Sequence, residues 1–349
     1  MKILAIESSC DETAIALLTT KGKSFSLTKN QVYSQVDIHK KYGGVVPEIA
    51  ARKHLETMIP LLDNVLGRDK LKDIDYLATT TGPGLITSLL LGITTAKTLA
   101  YTNQLPLLSI NHIEGHIYSN WLSHPELIKN SSKYLPGLIL VISGGHTELI
   151  LMKDHGDYQS IGQTLDDAVG EAFDKIAKLL SLGYPGGPII SEITKRGDAR
   201  AYDFPRPMIN SKDYNFSLSG LKTAVLYTLE KKKNINQQDI ADIVASFQKA
   251  ITDVLIAKTF KAVQEYQVKS IMLAGGVSAN KFMQIEFSKE AKKLNLPLFY
   301  PKLKFTGDNA AMIATTAYYQ IINKAKPIEG EKILLLQPKA NWQLTQNRI

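Results

Sequence analysis

Short apolar runs separated by polar turns open the chain and predict β-strands. Residues 3–6 (ILAI) are apolar, residues 7–13 (ESSCDET) are mostly polar, and residues 14–18 (AIALL) are apolar again. Short apolar runs bounded by turn residues are typical of buried strands. The same succession of strand, turn and strand returns in the middle of the chain, over residues 138–142, 143–147 and 148–152. This weak internal repeat predicts two related lobes.

Glycine turns follow two further apolar runs. Residues 76–80 lead through a Gly-Pro-Gly turn into an apolar segment that predicts a helix as far as Ala100. Residues 270–274 lead into a Gly-Gly turn. Strands that alternate with helices indicate an α/β fold with buried sheets.

The polar segment 124–136 has a proline near each end and is expected to form the crossover between the two lobes. We predict an N-terminal lobe formed by residues 1–125 plus 310–349. Residues 126–309 are predicted to form the C-terminal lobe.

Bulk composition narrows the class of protein. A chain of 349 residues is long enough for two domains, and fractions of 44% hydrophobic and 21% charged residues are typical of soluble globular proteins. The one cysteine, Cys10, excludes an internal disulfide, which suits a reducing compartment. The acidic Glu7 interrupts the first apolar run too early for a signal peptide, and no apolar stretch is long enough to span a bilayer. These features predict a soluble, cytoplasmic protein with no membrane partner.

The net charge of the chain is +8. A positive surplus of this size fits a phosphate-rich partner such as RNA. The alternative is a surface of ordinary solvated lysines, and charge alone does not separate these two interpretations.

Two of the seven histidines, His112 and His116, stand four residues apart in the segment NHIEGH. On a helix they would share one face and could bind one metal ion, whereas the alternative is a partly exposed helix face. A zinc-protease helix carries its glutamate directly after the first histidine. Here Glu114 comes one residue later, which turns it by about 100° around a helix. The displaced glutamate argues against a metalloprotease.

A metal site needs a third ligand, and the best candidate is Asp308 in the segment TGDNAAM. The alternative is an ordinary helix N-cap, because an apolar, alanine-rich run follows. Both roles are compatible, since a capping carboxylate keeps one oxygen free. Two histidines and one carboxylate, with further positions open, are typical of catalytic metal sites.

The turn over residues 7–13 concentrates three carboxylates in one strand–strand connection. As the floor of a binding site, Asp11 and Glu12 could orient a ligand or accept a proton, and they are the candidate catalytic residues. Cys10 lies beside them, but no neighbouring residue in the sequence would activate it as a nucleophile. We expect Cys10 to pack in the turn or to line it.

Four pairs of glycines recur at predicted turns. Backbone N–H groups in such turns can approach phosphates, although a glycine also merely closes a tight turn. Four pairs in one chain favour a nucleotide or phosphate site. The pairs are Gly82/Gly84, Gly144/Gly145, Gly186/Gly187 and Gly275/Gly276.

Three acidic residues, Asp167, Glu171 and Asp174, have the spacing of one helix face. They are either solvated acids or groups that receive the hydroxyls of a ribose.

Ten segments, taken together and in this order, closely resemble the TsaD family, which makes N6-threonylcarbamoyladenosine in tRNA and was long mislabelled as O-sialoglycoprotein endopeptidase. They span residues 7 to 311. The segments are ESSCDET (7–13), GGVVPE (43–48), GPGL (82–85), NHIEGH (111–116), SGGHT (143–147), GEAFDK (170–175), YPGGP (184–188), SLSGLKT (217–223), GGVSAN (275–280) and GDNAA (307–311).

The resemblance implies an actin/hexokinase/Hsp70-like (ASKHA) fold, with duplicated lobes and a central ligand cleft. It implies one divalent metal ion per subunit, Fe²⁺ with Zn²⁺ as the alternative, held by His112, His116 and Asp308. It also implies an adenylate-type ligand, contacted by Val141, Ile142, Ser143, Gly144, Gly145, Asp174, Gly187 and Asn280.

The activity that the resemblance implies is that of an N6-L-threonylcarbamoyladenine synthase, an acyltransferase. The threonylcarbamoyl group of threonylcarbamoyl-AMP would pass to N6 of the adenosine adjacent to the anticodon, in tRNAs reading codons that begin with A. The implied protein partners are a degenerate paralogue subunit and a small ATPase subunit of a bacterial modification complex. The alternatives are a metalloprotease, an ATP-binding kinase-like protein of the same fold, and a non-catalytic assembly subunit.

Overall fold

A computed structural model describes residues 1–22, 24–67, 71–232 and 234–345. The chain divides into two compact units. The first unit contains residues Met1–Ser131, His155–Asp157 and Pro301–Ile349, and the second contains Ser132–Asp154 and Tyr158–Tyr300. Asp308 and the two histidines of the predicted metal site therefore belong to the first unit.

The described strands are, in chain order, β1 Lys2–Glu7, β2 Glu12–Lys21, β3 Ser24–Ser34, β4 Tyr76–Gly82, β5 Leu107–Asn111, β6 Gly137–Ile142, β7 Thr147–Asp154, β8 Asp157–Gln163, β9 Ser270–Ala274 and β10 Leu298–Phe299. The α-helices are α1 Val36–His39, α2 Pro47–Leu66, α3 Ile86–Thr102, α4 His112–Ser123, α5 Pro125–Lys129, α6 Val169–Leu179, α7 Gly186–Ile193, α8 Ser219–Lys231, α9 Gln237–Tyr266, α10 Lys281–Lys293 and α11 Ala310–Ile322.

The two sheets have matching strand orders. The first sheet runs β3-β2-β1-β4-β5, and the second runs β8-β7-β6-β9-β10 when read from its other edge. In each sheet the central strand pairs antiparallel with the strand that follows it in sequence, and parallel with a later strand. The repeat of strand, turn and strand predicted from the sequence is confirmed. The correspondence extends beyond those two strands to all five strands of each sheet.

The central strands are buried because the chain supplies apolar residues at successive positions. Ile3, Leu4, Ala5 and Ile6 of β1 are fully buried, as are residues 138–142 of β6. A strand that is covered on both faces reads as a continuous apolar run rather than as an alternating one. Each unit has its own apolar core, and the larger of the two surrounds β6, α6 and α9.

Two local expectations are wrong. Helix α6 begins at Val169, so Asp167 precedes the helix and does not share a helical face with Glu171. Instead, Lys175 Nζ lies 2.5 Å from a carboxylate oxygen of Asp167 and 2.9 Å from one of Glu171. These two acids are therefore ion-paired with a lysine. This pairing favours the interpretation of Asp167 and Glu171 as ordinary surface acids over the interpretation that they receive the hydroxyls of a ribose. The second correction concerns Asp308 and is described with the site.

Within the described residues, no helix combines the length and the apolar character that a membrane span requires.

Candidate metal centre and ligand-binding turns

Helix α4 begins at the first histidine of the pair. The side chain of Asn111 caps it, since Oδ1 accepts hydrogen bonds from the N–H groups of Ile113 (2.9 Å) and Glu114 (3.2 Å). An Asn in this position satisfies two N–H groups that the first helical turn leaves without partners. His112 and His116 consequently lie one turn apart on one helix face, with ring centroids 4.6 Å apart. The helix predicted from the spacing of these histidines is confirmed.

Asp308 reaches the same point from the segment that precedes α11. Its Oδ1 lies 3.4 Å from Nε2 of His112 and 3.2 Å from Nε2 of His116. One potential ligand atom from each of the three residues falls within 4.8 Å of the others. Asp308 is not the N-cap of α11, contrary to one expectation. Asn309 caps the helix by accepting a hydrogen bond from Met312 N–H, so the Asp308 carboxylate is not used for capping.

The unsatisfied nitrogens of His116 show that these residues fit a metal ion. His116 is buried, neither of its ring nitrogens has a regular hydrogen-bond partner, and Asp308 Oδ1 lies 3.2 Å from Nε2. Buried polar atoms nearly always have partners, so an orphaned imidazole in a native site needs an explanation. An ion bound by Nε2 of both histidines and by the Asp308 carboxylate would supply the missing partner.

The remaining ring nitrogen of His112 is held by two neighbours from the first strand–strand turn. Nδ1 of His112 lies 3.1 Å from Glu7 Oε2 and 3.1 Å from Ser9 Oγ. A histidine that donates from Nδ1 to a carboxylate keeps the Nε2 lone pair for a metal, and such outer partners orient the ligand. Thr80 Oγ1 donates a hydrogen bond of 2.6 Å to the same carboxylate oxygen, Glu7 Oε2. Glu7 is therefore a positioning group that the sequence pattern did not single out.

The charges at the centre reinforce one another. Burial by itself would lower the pKa of His112, but the negative charges of Asp308 and Glu7 outweigh burial and raise it well above its ordinary value. A metal ion at Nε2 would have to displace the proton that this raised pKa favours, because a ligating histidine must be neutral. Burial would raise the pKa of Asp308, whereas His112 and His116 hold it well below its usual range. Asp308 is consequently ionised at neutral pH and available as a ligand.

Asp11 and Glu12 lie in the first unit, as does the metal cluster. Asp11 is buried, and Glu12 accepts a hydrogen bond from Ser34 Oγ at 3.1 Å. Burial and then the charges of Asp11 and Asp308 raise the pKa of Glu12 well above its ordinary value. A carboxylate with a raised pKa is a stronger base than an ordinary one, which is the property expected of a proton acceptor.

The surroundings of Cys10 disfavour the thiolate form that a nucleophile needs. Burial, and then the neighbouring charge of Asp11, raise the pKa of its thiol well above the ordinary value. Because the thiolate is the reactive form, this environment makes Cys10 unreactive.

Sequence reasoning missed His54, which braces the same turn. Nδ1 of His54 lies 2.7 Å from Thr13 Oγ1, and Nε2 lies 2.9 Å from the carbonyl oxygen of Cys10. Helix α2 buries Ala50, His54 and Met58 at intervals of four residues. A histidine on an otherwise apolar helical stripe was the signal that could have revealed it.

The turn after β6 in the second unit is fixed by two backbone hydrogen bonds of Ser143 and by the close approach of Gly170. Ser143 N–H donates to the carbonyl of His146 (2.9 Å), and Gly170 N–H donates to the carbonyl of Ser143 (3.1 Å). A Cβ atom on Gly170 would come within 2.7 Å of the Ser143 carbonyl oxygen. Gly144 and Gly145 face open space instead. Val141 and Ile142 end β6 beneath this turn.

The other predicted ligand residues of the second unit lie at or beside helix N-termini: Asp174, in the middle of α6, reaches the start of α7 with its carboxylate. Asp174 Oδ1 accepts a hydrogen bond from Gly186 N–H at 2.7 Å, and Gly187 N–H also donates to Asp174. Asn280 caps α10 and donates from Nδ2 to Gln248 Oε1 at 2.7 Å. The structure thus brings Asp174 and Gly187 together.

The glycine pairs serve two different purposes. Gly82 and Gly84 pack closely against the backbone of other segments. A Cβ atom on Gly82 would overlap the carbonyl oxygen of Lys339, and a Cβ atom on Gly84 would come too close to that of Ser9. The three pairs of the second unit each keep at least one glycine with open space around it: Gly144, Gly145, Gly187 and Gly276. Backbone at these four positions is accessible to a ligand, whereas the first pair is explained by internal packing.

Known proteins resemble this chain over most of its length. The family model of TsaD, tRNA N6-adenosine threonylcarbamoyltransferase, matches residues 26–315. The tRNA N6-adenosine threonylcarbamoyltransferase of Thermosipho africanus is 49% identical over 322 residues, which cover 91% of this chain and 94% of that protein. The protein of the same name from Kosmotoga olearia is 49% identical over 320 residues, covering 91% and 93%.

Among solved structures, HypF from T. kodakarensis has the same fold over 93% of this chain, with a TM-score of 0.60 and 14% sequence identity. This chain spans about half of that protein, 48% of its length. The likeness confirms the two-lobed ASKHA-like α/β fold that the sequence predicted. Since the family model covers most of the chain and the relatives match it almost end to end, this protein belongs to the TsaD family of tRNA N6-adenosine threonylcarbamoyltransferases.

Proposed function

We propose that this protein transfers the threonylcarbamoyl group of threonylcarbamoyl-AMP to N6 of the adenosine beside the anticodon, in tRNAs that read codons beginning with A. The observation that carries the proposal is the family match over residues 26–315, which includes all three residues of the His112, His116 and Asp308 cluster. We propose that the two compact units correspond to the two expected lobes, with residues 126–131, 155–157 and 301–309 belonging to the first unit rather than to the C-terminal lobe.

The metal cluster is proposed to hold one divalent ion, Fe²⁺ from the family resemblance, with Zn²⁺ as the alternative that the same donor set accepts. When bound, such an ion supplies positive charge that stabilises negative charge developing on the donor. Glu7 and Ser9 keep His112 oriented for this role.

Transfer forms a bond between the exocyclic nitrogen of adenosine and the carbamoyl carbon, and it breaks the bond from that carbon to the phosphate oxygen of AMP. The attacking nitrogen must lose a proton, and AMP leaves with the electron pair of the broken bond. Glu12 is the proposed proton acceptor, because its raised pKa makes it a stronger base than an ordinary carboxylate, and Asp11 is proposed to orient the ligand.

The adenylate part of the donor is proposed to be received in the second unit. Gly144 and Gly145 are exposed and have open space where a Cβ atom would stand, and Gly187 and Asn280 stand at helix N-termini, where anions are favoured. The Asp174 carboxylate, which already accepts from the N–H groups of Gly186 and Gly187, is proposed to accept a ribose hydroxyl as well.

The proposed partners are tRNA, a degenerate paralogue subunit and a small ATPase subunit, and the proposed location is the cytoplasm. Protease activity is not supported by the geometry of the site. Glu114, which would have to serve as the base, is 1% exposed and is bound to Gln320 of helix α11.

The direct test supplies threonylcarbamoyl-AMP and an unmodified tRNA transcript to the purified chain, with and without the two partner subunits. The nucleosides are then analysed by mass spectrometry. We expect N6-threonylcarbamoyladenosine in the complete mixture and none when the donor is omitted. Peptide cleavage together with an unmodified tRNA in the complete mixture would overturn the proposal.

A further inference from the structure

A groove of about 440 Å³ lies in the first unit beside the end of helix α4. Its apolar lining includes Phe25 of strand β3, Trp121 and Leu122 of α4, and Phe305. The volume falls in the range of sites that receive small molecules or parts of larger ligands, about 300–1,000 Å³. None of the residues assigned above to the metal or to the adenylate lines this groove.

Every charged side chain that lines the groove is a lysine. These are Lys129 at the end of α5 and Lys302 and Lys304, which flank the groove from the segment before α11. Among the described residues, none of the three forms an ion pair, and the ammonium group of Lys304 instead lies 4.8 Å from the ring centroid of Phe305. The nearby carboxylate of Glu126 lies 3.4 Å from Nδ1 of His124.

Several lysines elsewhere on the surface have acidic partners. On helix α10, for example, Lys289 and Lys293 pair with Glu286 and Glu290 at 2.6 Å each. Three lysines without carboxylate partners, gathered around one apolar groove, therefore form a concentrated patch of uncompensated positive charge. Such a patch favours a phosphate-bearing ligand.

The groove is built on the two segments that supply the metal ligands. Helix α4 carries His116 near its start and Leu122 six residues later, a distance of about 9 Å at the rise of an α-helix. Lys302 and Lys304 precede Asp308 by six and four residues (308 − 302 and 308 − 304). A hydrogen bond of 2.9 Å from Lys302 N–H to Ser123 Oγ joins the two segments at the groove.

We propose that this groove and its three lysines bind the tRNA backbone next to the acceptor adenosine. The inference rests on the proposed function, because it concerns how the same substrate reaches the same centre. The acceptor lies in a single-stranded loop, whose neighbouring nucleotides can unstack onto a protein surface. Lysines would contact the phosphates, and the apolar lining would contact a base or ribose.

Leu303 adds an apolar contact to this surface. It stands between Lys302 and Lys304, and 79% of its surface is exposed. An alternating run of lysine, leucine and lysine beside an apolar groove suits RNA better than a protein partner, because the centres of protein interfaces are depleted in lysine.

The test compares two double variants that remove the same charge. Lys302→Ala/Lys304→Ala changes the groove, and Lys289→Ala/Lys293→Ala changes an exposed, ion-paired helix of the other unit. Dissociation constants for an unmodified tRNA transcript are measured from low to moderate salt, and the affinity for threonylcarbamoyl-AMP is measured as a check that the site is folded. We expect the groove variant to bind tRNA about ten-fold more weakly at moderate salt, with donor affinity unchanged.

The salt dependence separates a phosphate contact from a general loss of affinity. Each lost phosphate contact lowers the slope of log affinity against log salt by about 0.7 to 0.9, so the groove variant should lose about 1.5 and the control almost nothing. Equal affinity and slope for the groove variant and the wild type would overturn the inference while leaving the proposed function intact. Loss of binding to a protein subunit, with tRNA affinity unchanged, would likewise overturn it. A wild-type chain that neither binds nor modifies tRNA would defeat the proposed function itself.

Discussion

Gln320 donates a hydrogen bond from Nε2 to Glu114 Oε2 at 2.9 Å, and this contact connects helix α11 to helix α4. Both residues are buried. Glu114, the displaced glutamate of NHIEGH, is thus part of the interface between two helices. Its partner helix, α11, begins two residues after Asp308.

Substitutions at Glu114 should affect stability rather than chemistry. Glu114→Ala removes a buried acceptor and leaves the Gln320 amide without it, at a cost of about 1–3 kcal/mol in the free energy of unfolding. Glu114→Gln keeps an acceptor oxygen and should cost less. Urea unfolding gives both values, and transfer assays on the folded variants should show activity close to that of the wild type. A folded Glu114→Gln protein without activity would contradict this role.

Metal binding should depend on all three residues of the cluster. His112→Ala, His116→Ala and Asp308→Ala are each expected to lose bound metal and transfer activity together, because removal of one donor from a three-residue set leaves too few ligands. Metal content per chain is measured by mass spectrometry. The matched control is His124→Ala, which changes a histidine just after the same helix, outside the cluster, and should retain the metal.

Thermal unfolding provides a second readout of the same centre. An ion that binds only the folded chain raises its stability, by about 2.7 kcal/mol when its concentration is 100 times the dissociation constant. A chelator should therefore lower the melting temperature of the wild type and leave that of His112→Ala unchanged. Transfer activity that persists in metal-free wild-type protein would show that the centre is structural.

The sequence was a good guide wherever local pattern decides structure. Continuous apolar runs identified β1 and β6, and the spacing of His112 and His116 identified their shared helix face. It was a poorer guide where two neighbouring residues compete for one role. Either Asp308 or Asn309 could cap α11, and only the backbone at the helix start decides that Asn309 does so.

The sequence pattern could not predict contacts between residues that are distant in sequence. Glu7 and His112 are 105 residues apart, and Gln320 and Glu114 are 206 apart. Nothing in either local segment identifies the other, since these pairs arise from the parallel order of β1, β4 and β5 and from the packing of α11 on α4.

The base proposed for the transfer can be tested by its pH dependence. The pKa of Glu12 is raised, and the ionised form is the one that accepts a proton, so the rate should fall as the pH drops through this raised value. Ser34 donates to Glu12 and lowers its pKa, so Ser34→Ala should move the acid limb of the pH–rate profile to higher pH. Glu12→Gln should lower kcat by about 10²- to 10⁴-fold and remove that limb. An identical acid limb in Glu12→Gln would assign the proton to another group.

His54 should make folding more sensitive to acid. Burial lowers the pKa of His54 below its ordinary value of 6.5, although the Cys10 carbonyl, Glu7 and Asp11 oppose this and His39 adds to it. The unfolded chain then binds this proton more readily than the native chain does. The contribution of neutral His54 to stability is therefore full above pH 6.5 and is lost as the pH falls toward the lower native value.

His54→Gln replaces the titrating ring with a neutral side chain. Unfolding free energies of this variant and the wild type, compared across the pH range, should differ in slope only below pH 6.5, where the wild type loses stability faster. Parallel curves throughout that range would mean that His54 does not titrate differently in the native state.

Two glycine substitutions separate a ligand contact from a packing contact in the second unit. Gly275 has a φ of +85°, and a Cβ atom there would overlap the carbonyl oxygen of Ile142, so Gly275→Ala should lower the free energy of unfolding by roughly 1–3 kcal/mol or more. Gly144→Ala meets nothing within 4 Å and should leave stability unchanged. If the N–H groups of this turn hold the adenylate, the new methyl group at Gly144 should still weaken binding of threonylcarbamoyl-AMP, measured by calorimetry. Unchanged donor affinity in the fully stable Gly144→Ala protein would remove this turn from the proposed ligand site and leave its open glycines as simple turn closures.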